Sequence, residues 1–181
     1  MERVEDALTF DLDEVSVTQV NRRLHALTDR TAVEILKPVG RHNIACGLTA
    51  PLDVNIRGHA GYFTAGMNQA ARGTVHGNVG WSDAENMMSG TVHVTGFASE
   101  CAGSSAQGGL LVIDGDASSR CGISLKGGTI VVGGNVGHMS AFMAQAGRLV
   151  VCGDAGDGLG DSLYEAVIYV NGRIQGLGAD A

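Results

Sequence analysis

The sequence is poor in proline, aromatic residues and positive charge. It holds two prolines in 181 residues, 4% aromatic residues, and 12 Lys and Arg against 19 Asp and Glu, for a formal net charge of −7. Because lysine and arginine do not cluster, we expect neither a nucleic acid nor an anionic membrane as a partner. No apolar run approaches the roughly 20 residues of a membrane-spanning helix, and the charged N-terminus is not followed by the apolar stretch of a signal peptide.

The chain also lacks the residue spacings of common catalytic and metal sites. Its four cysteines, Cys46, Cys101, Cys121 and Cys152, include no C-x-x-C pair, and we interpret them as reduced thiols of a cytoplasmic protein. No serine has a histidine and an acid at a motif spacing. We therefore expect no catalytic residue, no bound cofactor and no metal in this chain.

Four histidines come nearest to a metal-binding pattern. His42, His59, His76 and His93 are each seventeen residues apart. The chain repeats every nineteen residues, as described next. Each histidine therefore lies two positions earlier in its repeat than the histidine before it. We therefore predict that they do not form one ladder of ligands.

What the sequence has in abundance is glycine, with 28 residues, and much of it recurs at a fixed period of nineteen. The recurring anchor glycines are Gly58, Gly77, Gly96, Gly115, Gly134, Gly153 and Gly172. A fixed period near twenty is typical of a solenoid, in which each repeat is one structural unit. We predict that the anchors are structural turn residues with positive φ, which glycine adopts most easily.

The columns around the anchors identify the kind of solenoid. Two residues before every anchor stands a β-branched residue, as stacked strands prefer: Ile56, Val75, Val94, Ile113, Val132, Val151 and Val170. Two residues after every anchor stands an apolar one. The sequence thus predicts an all-β fold, a right-handed parallel β-helix of about seven 19-residue coils over residues 31–181. The handedness is that of parallel crossovers in general.

Residues 1–30 differ from the repeats, with little glycine and more charge. Ser16 followed by Gln19 resembles a capping box, and apolar residues then fall on one helical face, namely Val17, Val20, Leu24 and Leu27. We predict a helix from Val17 to Leu27 that covers the open end of the β-helix, and a first strand over Thr31–Leu36.

Methionine and aromatic residues concentrate in one sector of the repeat, four to eleven residues after an anchor. Those expected to face outward are Tyr62, Trp81, Met88, Met139 and Met143. Large apolar side chains on an outer face are typical of partner surfaces, so we predict that these five form an interface. The alternative, in which they are scattered exposed side chains without a shared role, remains open.

The repeat also resembles a known family. The sequence segments that carry the resemblance are Gly58–Tyr62, Val75–Gly80, Glu85–Gly90, Gly133–Gly147 and Gly176–Asp180. They are similar to the C-terminal β-helical domain of the glutamate synthase large subunit, and more closely to a free-standing subunit of N-methylglutamate synthase. The resemblance covers roughly residues 30–181.

The resemblance implies a non-catalytic scaffold subunit in a multisubunit enzyme that forms N-methylglutamate from methylamine and glutamate. Its implied partners are a glutaminase-like amidotransferase subunit and a synthase subunit that holds FMN and an iron–sulfur cluster, with further copies of this chain as a possible addition. The chain has no clustered cysteines to hold such a cluster itself. Three alternatives stay open. The chain could be a subunit of another β-helix-containing complex, such as formylmethanofuran dehydrogenase or a formyltransferase/hydrolase complex. It could also be a self-associating structural β-helix, or a stand-alone enzyme with a groove on the flank of the β-helix, although nineteen-residue coils leave no long loops for such a site.

Overall fold

The computed structural model describes residues 7–181, which form one helix and nine strands. The helix α1 spans Val17–His25. The strands are β1 Leu8–Asp11, β2 Ala32–Leu36, β3 Asp53–Arg57, β4 Arg72–Val75, β5 Thr91–Val94, β6 Leu110–Ile113, β7 Lys126–Val132, β8 Ala146–Val151 and β9 Val167–Val170. All nine lie in one sheet in chain order, and each adjacent pair is parallel.

The strand register confirms the nineteen-residue coil. Val75 pairs with Val94, and Val94 pairs in turn with Ile113. The residues two positions after the anchors form a second ladder of parallel bridges, from Ala60 with Val79 to Ala155 with Ile174. Because every coil places its strand beside the strand of the preceding coil, the chain is a parallel β-solenoid of about seven coils, as the sequence predicted.

The interior of the solenoid consists of the repeated apolar columns. The residues two positions before the anchors form one column of equivalent positions, which is buried from Ile56 to Val151. The residues four positions before the anchors form a second column, whose buried members include Val92, Leu111, Ile130 and Leu149. Burying one such side chain contributes about 1.5–3 kcal/mol. No helix in the described part of the chain is long and apolar enough to cross a membrane.

The sheet begins earlier than the sequence indicated. We predicted the first strand at Thr31–Leu36, which corresponds to β2, but β1 precedes it and pairs through Leu8 with Val33. The β1 segment is only four residues long, too short for a clear alternation of apolar and polar residues. Its position depends on tertiary contacts that no local pattern shows, including the ion pair of 2.7 Å between Lys37 and Asp11.

The predicted helix is present, and it ends at His25 rather than at Leu27. Ser16 is its N-cap, and the reciprocal capping-box bonds between Ser16 and Gln19 are both formed. Val20 and Leu24 are buried against the first coil. The helix therefore covers the N-terminal end of the apolar interior.

Helix α1 also satisfies backbone groups of the first coil. In later coils the backbone N–H seven residues after the anchor donates to the coil before it, as Ala84 does to the Thr64 carbonyl at 2.9 Å. The equivalent N–H of Ala45 has no earlier coil, and it donates instead to Asn21 Oδ1 at 2.9 Å. His25 Nε2 lies 2.7 Å from the Cys46 carbonyl oxygen and donates to it. The helix thus replaces a missing coil both in packing and in hydrogen bonding.

We expect Asn21→Leu to lower the free energy of unfolding by about 1–3 kcal/mol, because it leaves the partly buried N–H of Ala45 without an acceptor. Arg22→Leu is the matched control, since Arg22 is exposed on the same helix. Urea denaturation followed by circular dichroism measures both variants. Equal stabilities for the two would show that the side-chain bonds of α1 contribute nothing to the cap.

The prediction of positive φ at the anchor glycines was wrong for all anchors except Gly58, whose φ is 138°. Positive φ instead occurs in other columns, as at Gly103 and Gly109. The anchors are glycine because consecutive coils touch backbone to backbone there. A methyl group placed on Gly115 would lie 2.9 Å from the carbonyl oxygen of Gly96, which is closer than side-chain carbons approach.

A further feature was not expected from the sequence. Non-glycine residues five, seven and nine positions after the anchor also have positive φ, as Phe63 (59°), Ala65 (53°) and Met67 (55°) show. Their N–H groups alternate in direction: Phe63 donates to Trp81 of the next coil, whereas Ala65 donates to Ile44 of the previous coil. The coils are therefore joined by backbone bonds on this side as well, and this regular bonding stabilises an otherwise costly conformation.

Candidate functional site

The most prominent surface feature is a column of stacked rings. His42, Tyr62 and Trp81 occupy equivalent positions in three successive coils. The ring centroids of His42 and Tyr62 lie 4.2 Å apart, those of Tyr62 and Trp81 lie 5.3 Å apart, and both pairs are inclined by 16°. His42 Nδ1 accepts the backbone N–H of Tyr62 at 2.9 Å. Such ring pairs contribute about 0.5–1.5 kcal/mol beyond their burial, so stacking favours this arrangement of the rings although Tyr62 and Trp81 are 48% and 52% exposed.

The five predicted interface residues divide into two groups. Tyr62, Trp81 and Met88 lie on adjacent coils, and all three are exposed. Met139 and Met143 belong to a coil three repeats beyond that of Trp81, which at about 4.8 Å per coil is roughly 14 Å away. Met143 is exposed, but Met139 is only partly exposed, and its N–H donates to the Asp157 carbonyl at 2.9 Å. Met139 is therefore less exposed than the other four predicted interface residues.

A polar ladder runs along the residues that directly follow the anchors. Each side-chain acceptor in the ladder receives the backbone N–H of the equivalent residue one coil later. Asp116 accepts from Asn135, and Asn135 accepts from Asp154, each at 2.7 Å. Asn78 likewise accepts from Phe97 at 3.1 Å. The ladder ties the turns of consecutive coils together on the outer surface.

Phe97 interrupts this ladder. Its phenyl ring has no acceptor atom for the N–H of Asp116, the next residue in the column, and it is 52% exposed. The phenyl ring therefore adds no side-chain hydrogen bond to the ladder. A signal was visible in the sequence, because Phe97 is the one apolar residue in that column, yet we did not predict it as a site residue.

Tyr62, Trp81 and Phe97 together define what we call the aromatic face. Three successive coils each contribute one ring, and each ring is about half exposed. Aromatic residues dominate the binding energy of many protein interfaces because they bury a large area at a low entropic cost. The aromatic face is therefore a candidate surface for a protein partner.

The titratable groups with the largest perturbations lie inside the solenoid. Asp83 is fully buried, neither of its carboxylate oxygens has a hydrogen-bond partner, and burial raises its pKa to about 8. Burial also raises the pKa of Cys46 to about 11 and that of Cys121 to about 12. These groups are therefore uncharged at neutral pH, and the stacked coils separate them from solvent.

The four histidines spaced seventeen residues apart do not converge on one point. His76 Nε2 lies 3.1 Å from Asn55 Oδ1, and His93 Nε2 lies 2.9 Å from Asp114 Oδ1. Within residues 7–181, no three histidine, cysteine or acidic side chains are arranged to hold a metal ion. The arrangement of these residues can be explained by local hydrogen bonding alone.

Comparison with known proteins gives one relative of high similarity. The chain is 53% identical over 174 residues to Protein GlxC of Rhizobium meliloti (strain 1021), a match that covers 94% of this chain and 76% of that protein. No family model matches the chain.

Proposed function

Because the chain belongs to the family of Protein GlxC, we propose that it is a non-catalytic scaffold subunit of a glutamate synthase-like enzyme complex. The observation that carries the proposal is the aromatic face, an exposed surface on which two of the three rings stack, on a solenoid whose most perturbed acid and thiols are buried. The resemblance of the glycine repeat to the β-helical domain of glutamate synthase supports the same assignment.

The more specific proposal is an N-methylglutamate synthase, which forms N-methylglutamate from methylamine and glutamate. In this proposal the chemistry belongs to two partners: a glutaminase-like subunit, and a synthase subunit that holds FMN and an iron–sulfur cluster. The β-solenoid keeps these partners at a fixed separation. A solenoid suits this role because its coils are joined by backbone bonds along the sheet and along the opposite side, so it resists bending.

The aromatic face would bind a partner through its three rings. Stacking of Tyr62 between His42 and Trp81 fixes the orientation of the first two rings before binding. A rigid anchor loses little side-chain entropy in the complex. Each such anchor contributes about 2 kcal/mol or more to binding, which corresponds to roughly a thirtyfold change in affinity.

Phe97→Asn tests the proposal because it should change stability and binding in opposite directions. Asparagine supplies the missing acceptor for the Asp116 N–H, so we expect the free energy of unfolding to rise by about 1 kcal/mol. The same change removes an anchor, so we expect affinity for a co-purified partner subunit to fall roughly thirtyfold. Denaturant unfolding measures the first effect and surface plasmon resonance the second.

Val39→Asn is the control, since Val39 is exposed at a different part of the first coil. We expect it to leave partner affinity unchanged. Trp81→Ala should weaken binding as Phe97→Asn does. If both aromatic variants assemble with glutaminase-like and flavin-binding subunits as tightly as the parent, the aromatic face is not the docking surface.

A further inference from the structure

The outer face of the sheet changes from polar to apolar along the solenoid. Outward side chains near the middle of the strands form one row across the sheet, because the strands pair in register. From β3 to β5 this row is polar and holds Asn55, Thr74 and His93. From β6 to β9 it holds apolar and aromatic residues, which we call the outer apolar row: Val112, Val131, Val150 and Tyr169.

The outer apolar row is accessible to solvent on the face of the sheet, not at its edge. The strands β6, β7 and β8 each pair with a strand on both sides. Val112, Val131 and Val150 are partly exposed, although the residues on either side of each of them are buried. Tyr169 is 53% exposed. Four such side chains in a line on one sheet face are typical of a surface that packs against another sheet.

Charged and exposed side chains border the outer apolar row on both sides, with opposite signs in the same order. On the side where the strands begin they are, in chain order, Lys126, Arg148 and Glu165. On the side where the strands end they are Asp114, Asp116, Asp154 and Arg173. Asp114 already has a partner, since its Oδ1 lies 2.9 Å from His93 Nε2. None of the three basic residues forms a salt bridge within residues 7–181.

A two-fold axis that runs along the solenoid, above the outer apolar row, brings these borders together. The rotation reverses the direction of the strands but keeps the order of the coils, so each border of one copy faces the other border of the second copy. On the coils of β8 and β9, Arg148 then faces the border with Asp154, and Glu165 faces Arg173. Lys126 is one coil, about 4.8 Å, from the level of Asp116.

We propose that a second copy of this chain packs face to face on the outer apolar row, with the two solenoids side by side and pointing in the same direction. Each residue of the row then meets its own copy across the axis. An identical chain fits this surface because its borders match in both the sign and the order of their charges. The inference goes beyond the proposed function and holds whichever enzyme complex contains the chain.

Sedimentation equilibrium of the 181-residue chain over a range of concentrations measures the dimer. Because four strands form a small interface, we expect a Kd in the micromolar range. Val131→Lys places two lysines against each other on the axis, so we expect the Kd to rise at least about tenfold. Ser118→Lys is the matched control, since it adds the same charge at an exposed position outside β1–β9 and should leave the Kd unchanged.

A charge exchange tests the orientation of the two copies. Glu165 and Arg173 are both exposed, so their side chains can be replaced without disturbing the interior. Glu165→Arg alone creates two contacts between like charges in the dimer, as does Arg173→Glu alone, so each should raise the Kd at least about fivefold at low salt. The double variant restores opposite charges at both contacts and should return the Kd to within about twofold of the parent.

Three results would overturn the proposal. A chain that stays monomeric at every concentration would do so in favour of a different occupant of the outer apolar row. A dimer whose Kd does not change in Val131→Lys would use another surface. A double variant that dimerises no more tightly than the single variants would exclude the side-by-side arrangement, and this result does not depend on whether Val131→Lys folds, which circular dichroism measures.

Discussion

Replacement of Asp83 by asparagine should make the protein more stable at pH 8 and leave its stability nearly unchanged at pH 4. Burial raises the pKa of Asp83 from 3.8 to about 8, so the folded state keeps a proton that the unfolded state loses above pH 4. The free energy of unfolding therefore falls as pH rises from about 4 to about 8. At 1.36 kcal/mol per pH unit over this range, the free energy of unfolding falls by at most about 5 kcal/mol. Asp83→Asn removes this pH-dependent loss of stability.

The neighbours of Asp83 in its column explain why an uncharged group fits there. Thr64 and Ser140 occupy the equivalent position in other coils, and each donates its hydroxyl to the carbonyl three residues earlier, at 3.0 and 2.9 Å. A protonated Asp83 has a hydroxyl that can donate in the same way, and an asparagine amide can do so at any pH. The carboxylate has no such donor, and a buried charge without a partner is costly.

Urea denaturation at several pH values between 4 and 8.5 measures the effect. Asp116→Asn is the matched control, because Asp116 is exposed and asparagine serves as the ladder acceptor at equivalent positions. We expect the control to follow the pH dependence of the parent. A stability difference between Asp83→Asn and the parent that does not vary with pH would contradict a protonated Asp83 in the folded state.

The sequence predicted the repeating elements of the fold well because each of them depends on local chemistry repeated many times. The β-branched column ending at Val170 became the sheet, and the capping box at Ser16 became the start of the helix. The strand β1 was missed because it forms only by pairing with β2. The alternating positive φ of residues such as Ala65 and Met67 was missed because it results from bonding between coils, and such bonding leaves little trace in residue type.

The candidate site was predictable only in part for a related reason. Tyr62 and Trp81 share a column, so their proximity followed from the period, whereas Met139 shares a column with the partly buried Phe63. Exposure depends on how neighbouring coils pack, and the period alone does not fix it. Phe97 stands out in the sequence as the one apolar residue of a polar column, but the hydrogen bonds that join this column, such as that from the Asn135 N–H to Asp116, became evident only in the structure.

Replacement of Gly134 by valine should cost more than about 2 kcal/mol of unfolding free energy. The φ of Gly134 is not positive, so valine does not need a left-handed backbone there. The free-energy cost comes instead from steric overlap of the side chain with the preceding coil. A methyl group on Gly134 would lie 2.9 Å from the carbonyl carbon of Gly115 and would collide with Asp116 Oδ1. Overpacking of this kind costs about 1–3 kcal/mol, and loss of the bond from the Asn135 N–H to Asp116 adds about 1 kcal/mol.

Gly73→Val is the matched control, because it makes the same substitution at a position where the surroundings leave room for the side chain. Gly73 lies in β4 between Val54 and Val92 of the same interior column, and a methyl group placed on it would have no heavy atom within 4 Å. Valine there fills a gap in the column and favours the strand, so we expect a gain of about 1–3 kcal/mol. Thermal and urea unfolding of both variants measure the difference. If Gly134→Val unfolds with the midpoint of the parent, the coils can separate at the anchor, and close backbone contact does not explain the glycine period.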